Sequence, residues 1–275
     1  MKFALNGATT MRADLPTDIE AARSAGFDYV EIWAAKLRAY LKQNSTTDLK
    51  GLFHQANIEP LSINSIEHIT FRDAASYEAI KEECAELSRV AAEIGCPTIV
   101  VVPGRFPQDG ASKLEIVEES VRVLRELSNI ATKHDVSLAF EFLGQPDCTV
   151  QTLSLAHGIV QAVDRPNVGL IIDTFHFYAG GSSLEAIETL DADLVQVLHI
   201  NDAEDRPRSE LQDSHRLLPG LGILPLNDII KALRTVGYDR VTSVEIFRPE
   251  YWEQDPFDLA RRALETTTAV VNSAR

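Results

Sequence analysis

The chain has 275 residues, of which 45% are apolar and 24% charged, with a formal net charge of −15. This composition excludes a mostly disordered chain, and so acidic a balance argues against a nucleic-acid partner, which is held chiefly by Lys and Arg. Cys84, Cys96 and Cys148 are scattered with no CxxC spacing, an odd set that points to a reducing compartment, the cytoplasm. The N-terminus turns polar at Asn6, too soon for the apolar region of a secretory signal, and no apolar run approaches the ~20 residues of a membrane helix, so no membrane partner is expected.

Short apolar, β-branched runs predict eight strands: Phe3–Asn6, Tyr29–Ile32, Pro60–Asn64, Thr98–Val102, Leu138–Phe142, Val168–Asp173, Val195–Ile200 and Val241–Phe247. Helical spacing is clearest over Thr17–Ala25, Tyr77–Ile94, Leu114–His134, Leu184–Leu190, Asn227–Val236 and Asp258–Val270, with glycine stops at Gly26, Gly95 and Gly237. Eight alternating units with continuously apolar strands predict an α/β fold, a closed (β/α)8 TIM barrel, in preference to an open doubly wound sheet. The length agrees, since such a barrel takes about 250 residues. No linker interrupts the pattern, so residues 1–275 are read as a single domain. Asn201–Gly222 is the longest irregular stretch, of a length usually reserved for function.

A parallel barrel buries both faces of its strands, so polar side chains at strand ends require a reason. Asn6, Glu31, Asn64, Glu141, Asp173, His199 and Glu245 all stand at such ends, where barrel enzymes carry their active sites. Across the last four strands, Glu141, Asp173, His199 and Glu245 each interrupt apolar neighbours with one side chain able to bind metal. Three converging carboxylates repel one another, and a divalent cation relieves that repulsion. The alternative is pairing with Arg or Lys, for which Arg216 and Arg248 lie close in sequence. The donor set suits one divalent ion, Mn²⁺, Zn²⁺, Co²⁺ or Mg²⁺.

Four segments carry a resemblance: Leu5-Asn6-Gly7-Ala8-Thr9-Thr10, the run from Glu141-Phe142-Leu143-Gly144-Gln145-Pro146 to Val150, Asp173-Thr174-Phe175-His176-Phe177, and Ser243-Val244-Glu245-Ile246-Phe247-Arg248-Pro249-Glu250-Tyr251. Over its whole length the chain resembles the sugar phosphate isomerase/epimerase family of xylose-isomerase-like TIM barrels, and within it the branch that isomerises 2-keto-myo-inositol in bacterial inositol catabolism. The resemblance implies a metal-dependent isomerase that forms 1-keto-D-chiro-inositol through an enediolate held on the metal. It puts the metal on Glu141, Asp173, His199 and Glu245, proton transfer on Glu141 and Glu245, and substrate oxygens on His176 and Arg216. The branch has Glu where this chain has Gly7, which receives no role. Endonucleases of the endonuclease IV type are distant relatives with extra ligands on earlier strands, where this chain has Asn64 and Pro103.

The partner implied is a small-molecule polyol ketone or ketose, and a homo-oligomer is left open. Gly220 and Gly222 are the nearest residues to a phosphate cradle, which favours a non-phosphorylated substrate. Trp33, Phe71 and Trp252 could wall a sugar-sized pocket, while His54, His134, His157 and His215 read as surface residues and the cysteines as inert. Other enzymes of the same scaffold remain alternatives: a ketose 3-epimerase, a hydroxypyruvate isomerase, and inosose or dehydroshikimate dehydratases. A non-catalytic carbohydrate-binding barrel is the alternative of a different class.

Overall fold

The computed structural model describes residues 1–274. The apolar runs become eight parallel strands: Lys2–Asn6, Tyr29–Trp33, Glu59–Ile66, Thr98–Val101, Ser137–Glu141, Val168–Asp173, Val195–Ile200 and Val241–Val244. They close in chain order, the first strand pairing with both the second and the eighth. The closed barrel predicted from the alternation is therefore the fold. The eighth strand stops at Val244, short of Phe247, so Glu245 is the first residue beyond it.

Two-residue alternation explains what each strand presents. Leu5, Phe140, Ile172, Leu198 and Val244 belong to the core shared with the helices, whereas Ala4, Ala139, Ile171 and Val197 fill the barrel interior. Two residues beyond the inner positions come Asn6, Glu141, Asp173 and His199. The same period therefore turns them inward at the C-terminal rim, above a plug of apolar side chains.

The six predicted helices are present, with bounds of Leu15–Ala25, Ala74–Ile94, Lys113–Ala131, Leu184–Glu188, Leu226–Thr235 and Pro256–Ser273. Asp14, Asp73 and Ser112 cap their helices by accepting the backbone N–H three residues on, and Gly26 and Gly95 end theirs at φ 98° and 79°. Ala34–Leu41, Thr46–Ala56, Leu153–Val163 and the short Thr174–Ala179 and Pro249–Trp252 are additional. Leu153–Val163 has a buried face and an exposed one, but Gly158 falls in its middle and the polar His157 lies on the buried face, which weakens its signal in the sequence.

The stretch after the seventh strand is better ordered than its composition suggests. Asp202–Ala203 pairs antiparallel with Arg216–Leu217 as a short ribbon. Buried Asp202 organises it: Oδ1 accepts from the N–H groups of Ala203 (2.9 Å) and Leu224 (2.8 Å), and Oδ2 from those of Gly220 (3.0 Å) and Gly222 (2.9 Å). A Cβ on Gly222 would sit 2.1 Å from the Ala203 carbonyl oxygen, so this closure demands glycine there. Asp202→Ala would leave four backbone donors without their acceptor. Its unfolding free energy in urea should fall by about 2–4 kcal/mol, and a loss below about 1 kcal/mol would contradict this account.

Candidate metal and active site

Glu141 and Asp173 are the last residues of their strands, His199 is the penultimate residue of its strand, and Glu245 directly follows the eighth. One donor atom from each lies within 4.8 Å of the other three, and all four residues are buried. The four predicted ligands are thus brought together at one point of the rim.

Glu31 lies behind His199. The imidazole presents Nδ1 to Glu141 Oε1 (2.9 Å) and Glu245 Oε2 (3.4 Å), and Nε2 to Glu31 Oε2 (3.0 Å). Glu31 is itself fixed by three donors from inward positions of the first, third and eighth strands: Asn6 Nδ2 (2.8 Å), Ser62 Oγ (2.7 Å) and Ser243 Oγ (2.7 Å). Glu31 is one of the polar residues expected at the strand ends, and its carboxylate pairs with the His199 ring. That pairing orients the histidine, in the manner of the outer partner that a metal-binding imidazole takes.

The long loop delivers a cation to the opposite side. Arg216 is 1% exposed, and its Nη1 donates to Asp173 Oδ2 (2.8 Å) and Glu245 Oε2 (3.0 Å). The Arg pairing weighed as the alternative to a metal therefore exists for two of the four. Arg216, expected at substrate oxygens, is built into the carboxylate cluster and also lines the cavity above it. Arg248 pairs instead with Glu204 and Glu250. Asn6 and Asn64 donate to Glu245 Oε1 at 3.1 and 2.7 Å, and Asn201 Nδ2 donates to Asp173 Oδ2 at 2.8 Å.

Arg216 does not balance the charge. Glu31, Glu141, Asp173, Asp213 and Glu245 face Arg216 and His199, which leaves three negative charges uncompensated when every carboxylate is ionised, even with the imidazole protonated. Burial opposes a charged His199, but Glu31, Glu245 and Glu141 outweigh it and hold the imidazole pKa well above its usual value. Burial likewise pushes against an ionised Glu245, yet His199 and Arg216 keep its pKa below the normal range. Glu141 yields: burial, reinforced by Glu245 and Asp173 and opposed by His199, pushes its pKa up to about 8. A buried donor set of three carboxylates and one imidazole, with negative charge to spare, fits a divalent cation.

A cavity of about 320 Å³ opens over these groups, lined among others by Trp33, Asn64, His68, Gln145, Asp213 and Phe247 as well as Glu141, His176, Arg216 and Glu245. Trp33 meets Phe247 edge-on at 5.5 Å and forms one wall, as anticipated. Phe71 and Trp252 do not line it; Trp252 donates through Nε1 to the Ala8 carbonyl. A wider cavity of about 750 Å³, between Met11–Pro16 and the helix Ala34–Leu41, reaches Trp33 from outside but contains none of the four clustered residues. His176 is buried, with Nε2 3.0 Å from Arg216 Nη2 and its backbone N–H on Asp173 Oδ1 (2.8 Å). Burial, with Arg216 adding, lowers its pKa. His157, read as a surface residue, is buried on the inner side of its helix. Gly220 and Gly222 form no phosphate cradle, because Asp202 takes their N–H groups. All three cysteines are buried thiols whose pKa burial raises, to about 11 or 12, in keeping with inert side chains. His68, Gln145 and Asp213 are cavity residues that sequence reasoning missed, since they lie in loops without periodic or apolar context.

The xylose isomerase-like TIM barrel family model matches residues 19–269. The inosose isomerase of Bacillus velezensis is 39% identical over 274 residues, covering 99% of this chain and 98% of that one. A D-psicose 3-epimerase of Enterocloster bolteae is 28% identical over 86% of this chain and 77% of its own. Among solved structures, that of the IolI protein with a bound zinc atom superposes with a TM-score of 0.97 at 38% identity, covering 100% of this chain and 99% of that one. Match, identity and closed barrel agree, and the chain belongs to the xylose isomerase-like TIM barrel family.

Proposed function

We propose that the protein is a metal-dependent isomerase that interconverts 2-keto-myo-inositol and 1-keto-D-chiro-inositol in cytoplasmic inositol catabolism. The observation that carries this reading is end-to-end similarity to the inosose isomerase of Bacillus velezensis. It is supported by the buried cluster at the rim and by a cavity within the ~300–1,000 Å³ of small-molecule sites. The occupied N–H groups of Gly220 and Gly222 favour an unphosphorylated polyol ketone.

In this reading Glu141, Asp173, His199 and Glu245 hold one divalent ion, His199 through the Nδ1 that Glu31 leaves facing the cluster. The ion, when bound, acts as a Lewis acid on the neighbouring carbonyl and hydroxyl oxygens and makes the hydrogen between them acidic enough to transfer. Glu141 and Glu245 carry that proton between adjacent carbons. They are not equivalent. Glu245 has each oxygen tied by two donors or ring nitrogens, whereas Glu141 is bonded through Oε1 to His199 and is freer to change protonation. His176 and Arg216 line the cavity beside them and orient substrate oxygens, His176 through the Nδ1 that has no partner in the protein and Arg216 by sharing an N–H already bonded within the site, while Trp33 and Phe247 cover an apolar ring face.

Incubating the metal-loaded protein with 2-keto-myo-inositol in D₂O, and following products by NMR, tests the reaction. Deuterated 1-keto-D-chiro-inositol should form with the wild type and not with Asp173→Asn. Turnover confined to a ketohexose would overturn the substrate assignment.

Arg216 shares Asp173 and Glu245 with the proposed ion, and two cations on the same carboxylates oppose each other. Arg216→Met should therefore bind Mn²⁺ or Zn²⁺ about tenfold more tightly in chelator competition, even though turnover falls. Equal or weaker binding would contradict the shared site.

Metal affinity should also depend on pH with a definite sign. Glu141, with its pKa near 8, carries a proton below that pH which an arriving cation must displace. Affinity is expected to rise with pH, more steeply below about pH 8, where both Glu141 and the protonated His199 ring must lose a proton to the arriving cation, than above it, where His199 alone must. A flat titration between these regimes would count against Glu141 as a ligand.

A further inference from the structure

Arg216 has five N–H donors, and all five are engaged. Nη1 faces Asp173 and Glu245, Nη2 faces His176 Nε2 (3.0 Å) and Asp213 Oδ1 (2.9 Å), and Nε also donates to Asp213 Oδ1 (3.2 Å). The Nη1 contacts alone would leave the guanidinium able to pivot about that nitrogen. The rings of Phe175 and Phe247, 4.8 and 5.1 Å from its centre, restrict the tilt but not rotation in its own plane. Asp213 bridges the Nε–Nη2 edge and, with His176 on Nη2, removes that remaining freedom.

The other oxygen of Asp213 is also employed. Oδ2 accepts from Gln145 Nε2 at 3.0 Å, which links the loop after the fifth strand to the loop after the seventh across the cavity. The Gln145 end of this link is stiff. Its backbone carbonyl accepts from Gln151 Nε2 (3.0 Å) and from the Cys148 N–H (3.1 Å). Its neighbour Gly144 approaches the helix Thr174–Ala179 so closely that a Cβ would meet the Gly180 nitrogen at 2.6 Å. Asp213 itself opens a short 3-10 turn and is 39% exposed in its side chain.

We propose that Asp213 is a positioning residue for the isomerisation: braced by Gln145, its carboxylate sets the in-plane orientation of the Arg216 guanidinium over the carboxylate cluster and the substrate. The proposal rests on the reading of the cavity as the isomerase site. It assigns Asp213 no contact with the reacting atoms; its effect passes through Arg216.

A double-mutant cycle measures this. Asp213→Ala should lower kcat/KM by about 100-fold in the wild-type background, the scale of a displaced orienting group. In an Arg216→Met background, where no guanidinium remains to be positioned, the same substitution should cost less than about threefold. Asp213→Asn, which keeps an acceptor for the guanidinium edge, should recover most of the loss. A merely structural role would lower kcat/KM by the same factor in both backgrounds, and that result overturns the proposal, as does an Asp213→Ala enzyme within threefold of wild type. Asp213→Ser replaces the alanine variant if the latter does not fold. The cycle is run on whichever ketone the wild type deuterates: activity on a ketohexose and not on 2-keto-myo-inositol overturns the substrate reading while the cycle still decides Asp213. A wild type that deuterates no ketone overturns both.

Discussion

The structure depends on how the barrel compensates carboxylates buried at its rim. Glu31, Glu141, Asp173 and Glu245 lie out of solvent at one end of an apolar barrel, a placement that costs several kcal/mol per ion unless charge and hydrogen bonds answer it. The fold answers in layers. Asn6, Ser62 and Ser243 fix Glu31, Glu31 and Glu141 grip His199 from both ring nitrogens, and Arg216 reaches in from the long loop to Asp173 and Glu245. The remainder of the negative charge appears as a raised Glu141 pKa, the sign of a site that accepts a further cation.

Asp202 is an instructive contrast within the same molecule. It is as buried as Asp173, yet four backbone N–H groups satisfy its oxygens. Such a carboxylate needs no cation, and its role is to close the loop that carries Arg216. The carboxylates of the rim meet side chains that are themselves charged or titratable. Partner type separates a structural acid from a functional one more sharply than burial does.

The barrel was legible because alternation of period two and period 3.6 survives throughout the chain, and its apolar strands leave each inward polar residue conspicuous. Glu141, Asp173 and His199 stand two residues beyond Ala139, Ile171 and Val197, a spacing visible without coordinates. What sequence could not supply is pairing across long separations. Nothing local says that Arg216 turns inward to Asp173, that Glu31 backs His199 across most of the barrel, or that Asp213 meets Gln145. The helix Leu153–Val163 was obscured locally, since Gly158 falls in its middle and the polar His157 lies on its buried face.

The claim at the centre of this account is that the surplus negative charge at the rim is answered by one divalent cation. Anomalous diffraction from crystals of the protein grown with Mn²⁺ tests it most directly. The account predicts a single strong peak bounded by Glu141, Asp173, His199 Nδ1 and Glu245, with Glu31 remaining on Nε2. A peak elsewhere, or none at saturating Mn²⁺ with Arg216 still bonded to Asp173 and Glu245, would contradict it.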